Sequence, residues 1–345
     1  MHGAQPQSLL FFAIMSANLV SIILPVLSIV AYLAYKRSFT SYPRLKIITP
    51  FQERAVIIGC TTGIGRELAL LYAQRRARLI LFARREALLN DLKQECLQYY
   101  ASEPEGGKNL IYVVAGDAIN DSDVQRCTQT ASSAFGGIDT LILCAGVISV
   151  LPFVDLCGLS VTKNPTGISF SVTSVQTPDD PMTAVRRITE VNYHAPVLAT
   201  RHFLPFLISA SRAPNIIVVS SMAGKTGAPT RGIYAGSKHA VHGFFDSLRV
   251  EVEQYNVHVG IVCPGTVDTG LRASAVDLRP QEAEAAVHGS TKGKLSPRAC
   301  AERILRASDA REREVYVPGW YYWMLWMKVA SPELLDGFAR KKYGY

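Results

Sequence analysis

Seven short apolar runs punctuate the chain between residues 50 and 320: AVIIG (55–59), RLILFA (78–83), LIYVVAGD (110–117), TLILCAG (140–146), NIIVVSS (215–221), VHVGIVCPG (257–265) and EVYVPG (314–319). Each is bounded by turn residues, and longer amphipathic stretches separate them. Runs that are apolar at nearly every position suit strands buried on both faces, and their alternation with helical patterns argues for βαβ units. The pattern predicts an α/β domain over residues 50–320, a Rossmann-type doubly wound parallel sheet of about seven strands. No repeat of solenoid type is present.

Charged residues make up only 19% of the chain and hydrophobic residues 48%, where soluble domains carry about 25% charged residues. The N-terminus accounts for part of the deficit. Met1 to Tyr35 contains no Lys, Arg, Asp or Glu, and Ser8 to Tyr35 is interrupted only by small polar residues and Pro25. About 20 apolar residues span a bilayer. The stretch exceeds the roughly 7–15-residue core of a cleavable signal and lacks a basic leader. A transmembrane helix is expected, with 1–45 as anchor and basic flank; an interfacial hairpin bent at Pro25 is the alternative. Lys36, Arg37, Arg44 and Lys46 follow the span and none precedes it, which points the following domain to the cytosol. The seven cysteines are odd in number and contain no CxxC pair, which agrees with reduced, structural thiols. A lumenal domain stays open, since few charges set the rule and Asn120-Asp121-Ser122 is a glycosylation sequon. The net charge of +8 fits a membrane-facing basic surface. No nucleic-acid module or basic stripe is found, so no nucleic-acid partner is expected.

Two segments break the rhythm. Residues 146–184 form a long stretch rich in Ser, Thr and Pro, an insertion near 150–182 that reads equally as a substrate-shaping lid or a tolerated surface excursion. The tail over 320–345 begins with WYYWMLWMKVA and holds all three tryptophans of the chain. Trp and Tyr favour the bilayer interface, so this tail reads as membrane-proximal or entrance-forming in preference to an ordinary core helix.

The first strand runs into Gly59-Cys60-Thr61-Thr62-Gly63-Ile64-Gly65 and then an amphipathic helix. Glycines allow a sharp turn and close approach to a pyrophosphate, and the helix N-terminus adds N–H donors. The second strand ends at Arg84-Arg85 with no acidic residue for a ribose hydroxyl. A guanidinium there suits a 2′-phosphate, which favours NADP(H); solvated arginines at a helix start are the bland alternative. Asp117, ending the third strand, is placed to reach the adenine edge.

The chemistry concentrates near Ser220-Ser221 and Tyr234-Ala235-Gly236-Ser237-Lys238. Tyr234 and Lys238, four apart, share one helical face. A tyrosine near pKa 10 is a poor base at neutral pH, and a neighbouring ammonium is expected to lower that value. A serine hydroxyl beside them can polarise a carbonyl while a proton and a hydride are delivered.

With these motifs in place the chain resembles the short-chain dehydrogenases/reductases, over residues 52–275. The resemblance implies that Gly59, Thr61, Gly63, Ile64 and Gly65 cradle the cofactor, with Ala145, Gly146, Val267 and Thr269 as further contacts. It implies Ser221, Tyr234 and Lys238 as the catalytic set, with Tyr234, Lys238 and Asn192 also touching the cofactor and Lys238 binding the nicotinamide ribose. Asn192 joins them, holding a relay water to the lysine. The stretch from Ser220 to Glu251 resembles the membrane-anchored branch that includes 11β-hydroxysteroid dehydrogenase. That likeness implies a lipophilic carbonyl or alcohol substrate of steroid, keto-lipid, retinoid or terpenoid type. It also implies a single-pass location in the endoplasmic reticulum membrane and a possible homodimer. Two departures stand out: Ile58 replaces a threonine, and Leu143-Cys144 replaces two asparagines. A catalytically silent, membrane-tethered nucleotide-binding scaffold is the competing reading. No three His, Cys, Asp or Glu residues have metal-ligand spacing, so no metal is expected.

Overall fold

Every one of the seven apolar runs is a strand of a single parallel sheet. In the computed structural model, which describes Ser28 and residues 42–165, 169–174, 180–278 and 293–344, the described strands are β1 Arg54–Ile58, β2 Arg78–Ala83, β3 Ile111–Ala115, β4 Thr140–Leu143, β5 Leu159–Lys163, β6 Phe170–Ser174, β7 Asn215–Val219, β8 His258–Pro264 and β9 Glu314–Val317. The sheet order is β3-β2-β1-β4-β7-β8-β9, and every pairing in it is parallel. Two units divide the chain, Met1–Tyr42 and Pro43–Tyr345, and these strands belong to the second. The expected membrane span, Ser8–Tyr35, lies outside the described residues apart from Ser28. No helix among the described residues is long and apolar enough to cross a membrane.

Period-two alternation sends each strand's side chains to two different cores. Ala55 and Ile57 of β1 and Leu79 and Leu81 of β2 face one side, where α1 (Gly63–Gln74), α2 (Glu86–Leu97) and α7 (Pro297–Ala310) pack. Val56, Ile58, Ile80 and Phe82 face the other, covered by α3 (Asp121–Phe135), α5 (Ala195–Ala210) and α6 (Gly232–Glu251). Helix α4 (Pro181–Thr189) starts on Asp180, whose carboxylate accepts from Met182 N, with Pro181 at the first helical position. Ser296 and Pro297 repeat that device at α7, a cap plus a residue whose missing N–H costs nothing there.

The insertion near 150–182 contains an element the composition does not reveal. Leu159–Lys163 and Phe170–Ser174 pair antiparallel as a separate ribbon, with all but Leu159 exposed. Its β-branched residues favour extended backbone, and Leu159, Val161, Val172 and Phe170 alternate with Ser and Thr on one face of the ribbon, a pattern too short to stand out in a Ser-, Thr- and Pro-rich stretch.

A second finding corrects the boundary at the N-terminus. Arg44, read as part of a basic flank, is 1% exposed and therefore belongs to the folded domain. Its guanidinium reaches Glu53 Oε1 at 2.7 Å, Thr140 Oγ1 at 2.7 Å and the Ala213 carbonyl at 3.0 Å. Thr140 in turn donates to Glu53 Oε1 at 2.6 Å. The cluster ties the N-terminal ends of β1, β4 and the approach to β7 beneath the sheet. Removing one partner of a buried pair leaves an uncompensated charge and costs about 3–5 kcal/mol. Arg44→Ala is therefore expected to lower stability by about that much in urea unfolding. Deleting residues 1–45 should be as damaging.

Candidate active site

The strand order reverses between β1 and β4, and in parallel sheets a crevice opens there at the carboxyl ends of the strands. The glycine turn after β1 enters this crevice. Gly59 has φ +87°, and a Cβ on it would lie 2.5 Å from Ala145 N. At Gly65 a Cβ would lie 2.1 Å from the Gly59 carbonyl oxygen. A Cβ on Gly63, at φ +58°, would lie 3.0 Å from Thr269 Cγ2. The three predicted glycines, Ala145 and Thr269 are therefore in one place, and the turn closes only because side chains are absent. Ile64 lies in the first turn of α1 and packs on the core. The donors of that helix start, above a cradle that a Cβ would fill, suit a dinucleotide's phosphates.

At the end of β2, Arg84 and Arg85 are both exposed. Arg85 donates to Thr61 Oγ1 at 3.1 Å, which draws one arginine against the glycine turn. Asp117 is used locally: Oδ1 accepts from Ile119 N at 3.3 Å, and its own N–H bonds Asp123. Val267 pairs with Leu295 in an isolated bridge and packs on the core. Thr269 Oγ1 accepts from Leu271 N at 3.4 Å. Leu143 is a buried strand residue, and Cys144 N bonds the Ile58 carbonyl at 2.9 Å, so the departing residues keep the backbone frame.

The second cluster stands beside the first. Ser221 follows β7, and its Oγ accepts from Ala223 N at 3.1 Å. Tyr234, 7% exposed, opens α6. Lys238 lies one turn on, with Nζ 5.9 Å from the Tyr234 ring centre and donating to the Val219 carbonyl at 3.2 Å. The expected lowering of the Tyr234 pKa is not what the site shows. Burial raises it, while a hydrogen bond with Ser221 and the charge of Arg231 act in the opposite sense. Burial also lowers Lys238 to about 8, because the ammonium has left water with no carboxylate beside it.

Asn192 occupies a π-helical turn, Glu190–His194, between α4 and α5. Such turns often mark functional positions. Its Oδ1 accepts from Val147 N at 2.9 Å, and Nδ2 donates to the Val147 carbonyl at 2.9 Å and to Ser237 Oγ at 3.1 Å. The amide is thus committed as a donor, and a relay water finds only its acceptor atoms. Gly146 packs between Asn192 and Lys238: a Cβ there would come within 3.3 Å of Asn192 Oδ1 and 3.9 Å of Lys238 Nζ.

Two residues here carry no motif. Ser237 links the Asn192 amide to the Tyr234 carbonyl, to which it donates at 2.7 Å. Ser149, 1% exposed, has Oγ 3.3 Å from Tyr234 N and a carbonyl that accepts from Arg231 at 2.8 Å. Ser149 is 85 residues from Tyr234, and nothing local in the sequence signals it. Ser237 lies inside the Tyr-Lys spacing and is visible only in retrospect.

Fold and crevice together define a Rossmann-type α/β protein with a glycine-lined nucleotide cleft and a Ser-Tyr-Lys cluster. The sequence model of the short chain dehydrogenase family matches residues 53–279, and the chain belongs to that family of oxidoreductases. Dehydrogenase/reductase SDR family member 7B of Bos taurus is 31% identical over 260 residues, 75% of this chain and 71% of that protein. Hydroxysteroid 11-beta-dehydrogenase 1-like protein of Xenopus tropicalis is 30% identical over 294 residues, covering 85% of this chain and 88% of its own. A short-chain dehydrogenase/reductase from Burkholderia phymatum, solved with NAD, superposes with TM-score 0.65 at 22% identity, over 84% of this chain and 97% of that one.

The Asn192 bracket makes a stability prediction that activity does not enter. Asn192→Ala strands the buried Val147 N–H and carbonyl and should cost about 1–3 kcal/mol for each group left unpaired. A fall in Tm, with retained secondary structure by circular dichroism, checks it.

Proposed function

We propose that this chain is an NADP(H)-dependent oxidoreductase that interconverts a hydrophobic ketone and its secondary alcohol, working as a reductase. The observation that carries the reading is the convergence of Ser221, Tyr234 and Lys238 beside the glycine turn at one sheet edge. NADP(H) is favoured over NAD(H) by Arg84 and Arg85, exposed at the end of β2, with Arg85 drawn to Thr61. The names of the relatives, a dehydrogenase/reductase and an 11-beta-dehydrogenase-like protein, agree with a carbonyl–alcohol reaction.

Bound NADPH supplies the hydride. The residues of the chain handle the oxygen and the proton. Ser221 Oγ, oriented by the Ala223 amide, hydrogen-bonds the substrate carbonyl and draws electron density to its oxygen. Tyr234, kept protonated by burial, donates its proton to that oxygen as negative charge develops. Lys238 steadies the phenolate that remains and holds the nicotinamide ribose, and Asn192 keeps the Val147 loop and α6 in register.

The substrate side is read as lipophilic. Trp320 is 57%, Trp323 68% and Trp326 58% exposed on or beside α8 (Tyr321–Ala330), and α9 (Pro332–Tyr343) follows with exposed Leu334 and Phe338. Tyr321 lies against Gly265, where a Cβ would come within 2.4 Å of its ring. Lys328 reaches the Lys225 carbonyl at 2.5 Å. The tail thus borders both loops that flank the proposed reacting centre. With the apolar 8–35 segment as a single-pass anchor in the endoplasmic reticulum membrane and the domain on its cytosolic side, this border is the membrane-proximal entrance for steroid-, keto-lipid-, retinoid- or terpenoid-type substrates.

The test is a fluorescence titration of the full chain in detergent with NADPH and NADH. NADPH should bind at least tenfold tighter, about 1.4 kcal/mol, and Arg84→Ala or Arg85→Ala should erase that preference while sparing NADH. Equal affinity in the wild type removes the NADP(H) assignment, and no binding of either nucleotide by the folded chain overturns the oxidoreductase reading; nucleotide binding without turnover of any carbonyl substrate favours the scaffold reading. Tyr234→Phe should cut turnover of a lipophilic ketone by about 10²–10⁴-fold, the worth of a positioned acid, with NADPH binding retained. Reduction should hold across neutral pH and fall at alkaline pH as Tyr234 loses its proton. Oxidation of the product alcohol should rise over the same range.

A further inference from the structure

The tertiary fold gathers three metal-binding side chains that lie far apart in sequence. His242 is on α6 one turn beyond Lys238, Cys263 is near the end of β8, and Glu314 begins β9. One ligand atom from each lies within 4.8 Å of the other two. His242 Nε2 is 3.6 Å from Cys263 Sγ, Cys263 Sγ is 3.8 Å from Glu314 Oε1, and His242 Nδ1 is 3.5 Å from the same oxygen. Bond lengths of about 2.0–2.3 Å at a tetrahedral zinc place its ligands roughly 3.3–3.6 Å apart. Only one ring nitrogen can ligate, so His242 Nδ1, 3.5 Å from Glu314 Oε1, serves as the ligand once the ring turns to bring it toward Cys263 Sγ, which Nε2 faces here.

An independent observation points to a missing partner. His242 is 5% exposed, and its Nδ1 is buried without a hydrogen bond although it faces the Glu314 carboxylate. A buried polar atom of this kind is uncommon. Lys225 Nζ sits 2.6 Å from Glu314 Oε1 and supplies the positive charge that an ion would bring. Its side chain is 20% exposed and that of Glu314 25%, so the ammonium has a way out to water and an ion a way in.

We infer that His242, Cys263 and Glu314 form a Zn²⁺ site, three protein ligands with an open fourth position, which is filled when Lys225 swings aside. Binding releases the Cys263 proton to solvent, and no change of oxidation state is involved. The site clamps α6 to β8 and β9 just before Pro264-Gly265, and so braces the loop that carries Val267 and Thr269. The inference does not depend on the proposed reaction, because it concerns residues on the far side of the Lys238 turn.

Co²⁺ titration of the full chain in detergent is the direct test, since a thiolate ligand gives a near-ultraviolet charge-transfer band that oxygen and nitrogen ligands do not. One equivalent of Co²⁺ should produce the band, and Zn²⁺ should displace it stoichiometrically. Cys263→Ala should abolish the band, and Glu314→Gln should weaken binding at least tenfold. Lys225→Met should tighten it at least tenfold by removing the competing ammonium. Circular dichroism and NADPH titration of each variant report folding, and the Lys225→Met gain cannot arise from misfolding. Absence of the band in folded wild type overturns the inference, as does a band that survives Cys263→Ala or an unchanged affinity in Lys225→Met.

Discussion

The constraint on which the rest depends is that every strand of the main sheet runs the same way and is buried on both faces. Parallel neighbours cannot be joined by tight hairpins, so each connection crosses a face of the sheet, and here most of these crossings carry a helix. All carboxyl ends then fall on one edge. That alone brings the turns after β1, β4, β7 and β8 together, although residues 59, 146, 221 and 265 are widely separated in the chain. The opposite edge is free for structural work. It carries the Arg44–Glu53–Thr140 cluster, a buried ionic group that ties strand starts and leaves the reacting edge to function.

Within that edge the balance of electrostatics is unusual for an exposed cleft. Tyr234 and Lys238 are both buried, and desolvation is the largest influence on each. The phenol is held neutral, and the ammonium is made easier to deprotonate. This pair is suited to giving a proton to a developing alkoxide, and the hydrogen bonds of Asn192, Ser237 and Ser149 keep its helix from moving away from the glycine turn. The π turn at Glu190–His194 rotates Asn192 inward, where a regular helix would place the next residues differently.

Much of this was legible from residues alone, and the reasons differ by element. The strands were visible because complete burial makes each an unbroken apolar run with a turn after it. The glycine turn was visible because backbone approach admits only one residue type at Gly59 and Gly65. Tyr234 and Lys238 were visible because helical spacing places i and i+4 on one face. The ribbon of Leu159–Lys163 and Phe170–Ser174 was not, because an alternation of two apolar residues per strand is too short to stand out in a Ser-, Thr- and Pro-rich insertion. Arg44 was misjudged because an arginine is normally solvated, and only the carboxylate of Glu53, nine residues on, and Thr140, far along the chain, reverse that.

By itself, then, the amino-acid sequence determined the class of fold, the position of the glycine turn and the pairing of Tyr234 with Lys238 on one helix face, since each rests on local patterning: periodicity, glycine's missing side chain, helical spacing. The tertiary structure alone decided which charges are buried, that Asn192 is spent on bracing the Val147 loop, and that His242, Cys263 and Glu314 meet. Those facts depend on contacts between segments distant in the chain, and on water being excluded from between them. No local pattern encodes either.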